Sequence, residues 1–368
     1  MHFGISSLFI TLCISLPLIF LFSYVLKHEK SYHLFRADLL FVLAFIICLR
    51  LFFPIELPFT TTIFFPSIMN PLMTFLNISI YHKIKLVYLL GIIWIVGVLI
   101  KLGMYIRNII LVKKTRITIL QHAKHFKMSE LLSKECNPNY DVYITSYVSS
   151  PMVIGFEKCI LLPEIEFTNT ELTNILSHEA QHLKQNDIVL KQLVSFLTIL
   201  YWWFIPIYLL QKNIDFYIEV RADEKATDSF DAITTLEYAE TLLEVQKKIQ
   251  PSNNKIPPNL SSYLIGESQG IISYRINYLI NKQINTKTNK LILCLLILLP
   301  LMTNSIIFEA YFEDNECLEG TMSEDEFINS YYLVEHKDGS YSIVNGEEKY
   351  PISDPSDYIE SGMNIIQE

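Results

Sequence analysis

The placing of its apolar blocks constrains this chain most. Apolar runs fill Ile5 to about Val25, Leu39 to Pro54 with only Arg50 intervening, Val87 to about Met104, and Leu291 to Phe308. About 20 helical residues cross the ~30 Å hydrocarbon core of a bilayer, so each block is a candidate span. The 368 residues are 51% hydrophobic, more apolar surface than a soluble fold usually hides, and the excess sits in these blocks. The expected class is a polytopic α-helical membrane protein with four spans.

Charge sets the orientation. No basic region precedes Ile5, so the first block reads as a retained span and not a signal peptide. Lys27, Lys30 and Arg36 follow it, Lys101, Arg107, Lys113, Lys114 and Arg116 crowd the exit of the third block, and Lys282, Lys287 and Lys290 precede the fourth. Glu309, Glu313, Asp314 and Glu316 lie beyond that last block. The positive-inside rule then places both termini outside a cell membrane and residues 113–288 in the cytoplasm. The expected division is a three-span region 1–112, a cytoplasmic domain 113–290, a fourth span 291–310 and an extracytoplasmic tail 311–368. The 55–82 loop, rich in Phe, Pro and Thr, reads as extracytoplasmic and suited to the membrane surface. The net charge of −9 includes no basic arm, which leaves direct nucleic-acid binding without support.

The cytoplasmic part carries the chemistry. His178-Glu179-Ala180-Gln181-His182 lies in a helix expected from Thr168 to about Asn186, started by the capping box Thr168-x-x-Glu171. Imidazoles four residues apart share one helical face and can grip one metal ion, with Glu179 beside them as a base. Leu172, Ile175, Leu176 and Leu183 fall at core spacing on that helix. The Cys residues at 13, 48, 136, 159, 294 and 317 form no C-x-x-C pair, so a zinc site here must use His and carboxylate. Glu219 and Asp223 follow at i, i+4: Glu219 is the expected third ligand, and Asp223 the carboxylate holding the second nitrogen of a ligand His, most simply His178. Taken alone, the run Glu219 to Lys225 also reads as a solvated helix face.

The apolar stretch Ile188 to Leu210 separates the two halves of this site. One full crossing would strand Glu219 on the opposite side of the membrane from His178, and two crossings need about 40 residues. The stretch is therefore expected to enter the membrane surface or fold back without crossing, interrupted at Pro206.

Around these motifs, Val142–Ile144, Met152–Gly155 and Ile160–Pro163 read as short strands, either an edge that holds an extended peptide or a sheet that supports the helix. Residues 246–262 read as an exposed linker, and Tyr331–Val334 with Tyr341–Val344 as a hairpin in a tail too short to build much core. Gln121 to His125 reads as a basic helical stretch.

Jointly, four motifs resemble the membrane zinc peptidases of the β-lactam-sensor and methicillin-resistance-sensor antirepressor family: Ser150–Gly155 with Leu162-Pro163; His178-Glu179-x-x-His182 with Asp187; Glu219-x-x-Ala222-Asp223; and Arg275-Ile276 with Leu279-Ile280. Family members often carry Cys where Ala222 stands, and the tail shows no S-x-x-K, so the penicillin-binding sensor domain is expected to be lacking. With the four spans, the implied fold adds a cytoplasmic α+β zincin-type metallopeptidase domain and a short β-prone tail. The ligand set implies a zinc-dependent endopeptidase in which His178, His182 and Glu219 bind metal and Glu179 is the catalytic base. The resemblance implies a signal transducer that cleaves a cytoplasmic helix-turn-helix repressor, or itself, in response to an extracytoplasmic signal. The competing readings are a constitutive membrane quality-control metalloprotease and a non-catalytic receptor whose structural zinc would need a fourth ligand, for which Glu224, His122 and His125 stand as candidates.

Overall fold

The computed structural model describes residues 4–27, 37–54, 60–81, 84–154, 157–249, 265–266, 272–281 and 306–311, single positions at 294 and 298, and, near the end of the chain, 327, 330–337, 339–346, 348–352, 354–361 and 363–367. These divide into two compact units, Met1–Ala310 and Tyr311–Glu368.

The first unit opens with two apolar helices, α1 (Ile5–Lys27) and α2 (Ala37–Phe52), packed against each other through Ile19, Phe22, Leu26, Leu43 and Ile47. After β1 (Thr61–Phe64) comes α3 (Pro66–Leu76), begun by Pro66 in its first turn, so the 55–82 segment contains a helix where the sequence reads as loop. The short hairpin β2 (Ser79–Tyr81) and β3 (Ile84–Lys85) leads into α4 (Leu86–His122), 37 residues without a break. The expected boundary at residue 112 falls inside it. Nothing from Tyr105 to His122 is Pro or Gly, and Lys113, Lys114 and Arg116 are good helix formers, so the third apolar block continues as one helix into the polar region. Among the described residues, Ile5–Leu26 and Leu86–His122 are the two helices long and apolar enough to cross a membrane, and Leu40–Phe52 is a shorter apolar helix.

A five-stranded sheet follows, ordered β4 (Lys124–Lys127), β5 (Asp141–Thr145), β7 (Cys159–Pro163), β6 (Met152–Ile154), β8 (Ile265–Gly266). Only β5 and β7 pair in parallel. A short helix, α5 (Met128–Leu132), connects β4 and β5. His125 thus stands in a strand and not in a helix, because α4 stops at His122 and extended backbone begins at Ala123. Central β7 is buried along its whole length. Alternation sends Ile160 and Leu162 toward the core shared with the helices, and Cys159 and Leu161 toward a second cluster closed by Ile119 of α4.

On this sheet lies α6 (Asn169–Gln185). Its capping box is formed: the Glu171 amide donates to Thr168 Oγ1 at 3.2 Å, and the Thr168 amide to Glu171 Oε2 at 2.7 Å. Asn186, left-handed at φ 52°, turns the chain directly into α7 (Asp187–Leu200), and α8 (Pro206–Ala226) returns. Ion pairs Asp187–Arg221 and Lys191–Asp215 fix an antiparallel register for α7 and α8, with the reversal at Tyr201–Ile205. The apolar stretch 188–210 therefore folds back on itself, Pro206 sitting in the first turn of the returning helix.

Next, α9 (Ala232–Lys248) continues into the stretch that reads as linker from sequence, whose remainder is largely outside the described residues. After α10 (Ile272–Asn281) the unit ends in β9 (Ile306–Glu309), paired in parallel with β1. The fourth block, Leu291–Phe308, lies mostly outside the described residues, and its last three positions are strand: Ile306, Ile307 and Phe308 have high β-propensity and meet the edge of β1.

The second unit is a four-stranded sheet ordered β12 (Glu348–Ile352), β11 (Tyr341–Asn345), β10 (Tyr332–Glu335), β13 (Ile365–Gln367). The expected hairpin is β10–β11. Two further strands and the short helix α11 (Ser356–Glu360) surround a core of Leu333, Ile343 and Met363. The tail thus builds more structure than its length suggests, because β13 pairs in parallel with β10 and closes one side.

Candidate metal centre

The site begins with α6. From its fixed start at Thr168, His178 and His182 fall one turn apart and face α8, which packs against α6. Both are buried, at 6% and 2% exposure, and their Nε2 atoms stand 3.1 Å apart. Glu219 of α8 faces them: one carboxylate oxygen is 3.4 Å from Nε2 of His178 and the other 3.9 Å from Nε2 of His182. Among the described residues, His178, His182 and Glu219 can each offer one ligand atom, all within 4.8 Å of one another. Glu179, buried beside them, lines the same pocket.

Each imidazole is held by its far nitrogen. His178 Nδ1 is 2.9 Å from Asp223 Oδ1, and His182 Nδ1 is 2.7 Å from Asp187 Oδ2. Both carboxylates are fully buried. Since a carboxylate accepts, each Nδ1 carries a proton, and the two Nε2 atoms face each other: they share one further proton or, once it is lost, present two lone pairs. Two facing lone pairs and a carboxylate call for a cation between them. Tetrahedral zinc with ~2.0–2.1 Å Zn–N bonds spaces two nitrogens about 3.3 Å apart, close to the spacing here. The residues present therefore fit the ion.

The electrostatics put that further proton on His178. Burial and Arg275 work against a charged His178, but Asp223 and Glu219 outweigh them and raise it to about 10. Burial, together with its neighbour His178, drives His182 down to about 3, although Glu219 pulls upward. Glu219 is held down to about 2 because the two His and Arg275 overcome its burial. The pair thus accommodates one positive charge beside an ionised carboxylate. Burial alone would raise Asp223, yet Arg275 and His178 hold it far below the usual carboxylate range.

Three partners are unannounced by any local motif. Arg275 of α10, 1% exposed, donates Nε and Nη2 to the two oxygens of Asp223 at 2.7 and 2.8 Å, and its Nη1 lies 3.6 Å from Glu219. Tyr238 of α9 donates its hydroxyl to Asp223 Oδ1 at 2.8 Å and lies 3.1 Å from His178 Nδ1. Arg221 pairs with Asp187. Tyr238 lies in an ordinary helical pattern, and Arg275 entered the sequence reading only through the resemblance. The charged run of α8, by contrast, faces inward: Glu219, Asp223 and Glu224 are all buried. The candidates for a fourth ligand are engaged elsewhere, since Glu224 accepts from Tyr278 at 3.2 Å, His125 contacts Asp141 at 2.7 Å, and His122 Nδ1 lies 2.9 Å from the Thr118 carbonyl.

Residues 70–279, more than half of the chain, match the BlaR1 peptidase M56 family. The chain belongs to that family. The family takes its name from a peptidase, and the relatives that match are of the BlaR1 and MecR1 kind. It is similar to the methicillin resistance mecR1 protein of Staphylococcus aureus, 23% identical over 294 residues covering 74% of this chain and 49% of that one. The mecR1 protein of Staphylococcus epidermidis matches with the same figures, and regulatory protein BlaR1 of Bacillus licheniformis is 22% identical over 279 residues, 70% of this chain and 44% of that one. The chain spans about half the length of the curated relatives it matches. The M56 match covers α6, α8, α9 and most of α10, the elements that carry the His, Glu, Asp, Tyr and Arg residues of the site.

Proposed function

We propose that this chain is an integral-membrane, zinc-dependent endopeptidase that transduces a signal by cleaving a cytoplasmic repressor, itself, or both. The convergence of two Nε2 lone pairs and the Glu219 carboxylate carries this reading. Membership in the M56 peptidase family, and the similarity to regulatory protein BlaR1, support it.

In this reading His178, His182 and Glu219 hold zinc. Bound there, zinc supplies a Lewis acid for the peptide carbonyl and acidifies a water molecule. Glu179 takes the water's proton and returns it to the departing amine. Asp223 and Asp187 keep the protons on the two Nδ1 atoms, so both Nε2 atoms stay available. Arg275 and Tyr238 stabilise Asp223 as an anion. A structural zinc site is disfavoured because only three ligand residues converge among the described residues, which leaves a position open for water.

The side of β6 away from β7, next to Pro151 at the pocket, is where an extended segment pairs. The chain's own Ile265–Gly266 pairs antiparallel with that edge, which supports self-cleavage in the segment before the fourth apolar block. The substrate in trans is a small helix-turn-helix repressor, and N- and C-termini lie outside the cell membrane.

Membrane vesicles from cells expressing the parent and Glu179→Gln, with and without a co-expressed candidate repressor, test the reading. Zinc-dependent fragments of the chain or the repressor should form only with the parent. Identical fragments from Glu179→Gln, or no fragment under any condition that loads zinc, would refute it.

A further inference from the structure

Arg221 stands where membrane helices and metal centre meet. Its guanidinium pairs with Asp187, whose other oxygen accepts from Nδ1 of the ligand His182. The same guanidinium lies over the Phe41 ring of α2 at 5.6 Å and the Tyr217 ring at 5.3 Å, and Tyr217 faces Phe22 of α1 at 6.5 Å. From this base the α7–α8 hairpin runs between α2 and α4. Toward its tip, Phe196 stacks on Phe52 at 5.9 Å and the Tyr201 hydroxyl donates to the Leu51 carbonyl at 2.7 Å. On the other side, Tyr105 donates to Gln192 at 2.5 Å and Trp94 Nε1 to the Leu200 carbonyl at 2.8 Å. From Phe41 to Leu51 is about 15 Å of helix, half the depth of a hydrocarbon core.

We propose that the α7–α8 hairpin carries displacements of the membrane helices to the metal centre, with Arg221 as the positioning residue at its base. This rests on the metal-centre reading above. Asp187 is buried and held by two partners, so it follows Arg221, and the His182 ring follows Asp187 through Nδ1. Arg221 in turn rests on a face supplied by α2. A shift of α2 against α8 therefore reorients a ligand without touching it, and metal sites tolerate errors of only about half an ångström.

The test measures zinc affinity of the full chain in lipid nanodiscs by competition with a chromophoric chelator. Arg221→Gln should weaken binding about 10- to 100-fold, the usual range for a residue supporting a ligand. Phe41→Ala, on a different helix from every ligand, should weaken it about tenfold by the same rule. Phe41→Trp should preserve it, and so should Leu49→Ala, exposed on the same helix. The double variant Phe41→Ala/Arg221→Gln should be no weaker than Arg221→Gln, because one path carries both effects. Should Phe41→Ala fail to fold by thermal melting, Phe41→Leu removes the π face at similar bulk. Parent-like affinity in the folded Phe41 variant, or full additivity in the double variant, overturns the proposal while leaving the metal centre intact. A parent that binds no zinc, or a His182→Ala variant that binds it as tightly, overturns both.

Discussion

Nε2 of His178 and Nε2 of His182 stand 3.1 Å apart, while the Nδ1 of each ring is turned to a different buried carboxylate, Asp223 for one and Asp187 for the other. The two carboxylates come from different elements, Asp223 from α8 and Asp187 from the start of α7. Each imidazole is thus oriented independently, and the first prediction follows from that separation. Asp187→Asn and Asp223→Asn should each reduce zinc affinity about 10- to 100-fold. Chelator competition on each single variant checks it.

Glu179→Gln should retain zinc and fold while losing about 10²- to 10⁴-fold in peptide cleavage, because a neutral amide cannot accept the water's proton. Metal content measured alongside cleavage of a co-expressed repressor separates this role from that of a ligand. Loss of zinc in this variant would make Glu179 part of the metal shell instead.

Arg275 is the cation that answers the fully buried Asp223. Arg275→Met removes it and should cost about 3–5 kcal/mol of stability, as expected when one member of a buried pair is deleted. Denaturant unfolding in detergent measures the loss. Adding Asp223→Asn should recover part of it, since the orphaned charge disappears; a fully additive double variant would show the two residues act separately.

The start of α6 carries a pH dependence. Burial opposes ionisation of Glu171, but Lys248, at 2.6 Å, and the Thr168 amide together lower its pKa. A carboxylate depressed in the folded state stabilises it above the unfolded value of about 4.3 and loses that contribution as pH falls through the lower folded value. Lys248→Met should therefore destabilise the protein by about 1 kcal/mol near neutrality. The gap between the melting curves of the two proteins should begin to close as the pH falls below about 4.

The hairpin gives a topological prediction. Lys184 at the end of α6 and Lys225 near the end of α8 are both exposed and lie on either side of the apolar stretch. Cysteines placed at these positions should react with a membrane-impermeant maleimide from the same, cytoplasmic, side of oriented vesicles. Labelling from opposite sides would mean that 188–210 crosses.

Much of the site was legible because its determinants are local. The Thr168–Glu171 box sets the phase of α6, the i, i+4 spacing of His178 and His182 then follows, and bringing Glu219 back to His182 calls for a reversal near Pro206, where α7 and α8 turn. The partners that hold the ligands are long-range. Arg275 lies 52 residues from Asp223 and Tyr238 15 residues from it, and their roles depend on how α9 and α10 pack against α8. Residue spacing carries no such information. The continuous α4 and the strand at His125 were obscured because charge marks where a membrane ends, not where a helix does. In the tail, Met363 and β13 complete a core around Leu333 that hydropathy read segment by segment does not reveal.

The most direct test of the central claim is X-ray absorption at the zinc edge on the purified full chain. One zinc per chain is expected, with two imidazole nitrogens at about 2.0–2.1 Å, the remaining neighbours oxygen and no sulfur, and with the ion lost in Glu219→Ala. Sulfur in the shell, a closed set of four protein ligands, or zinc bound as tightly in Glu219→Ala would contradict it.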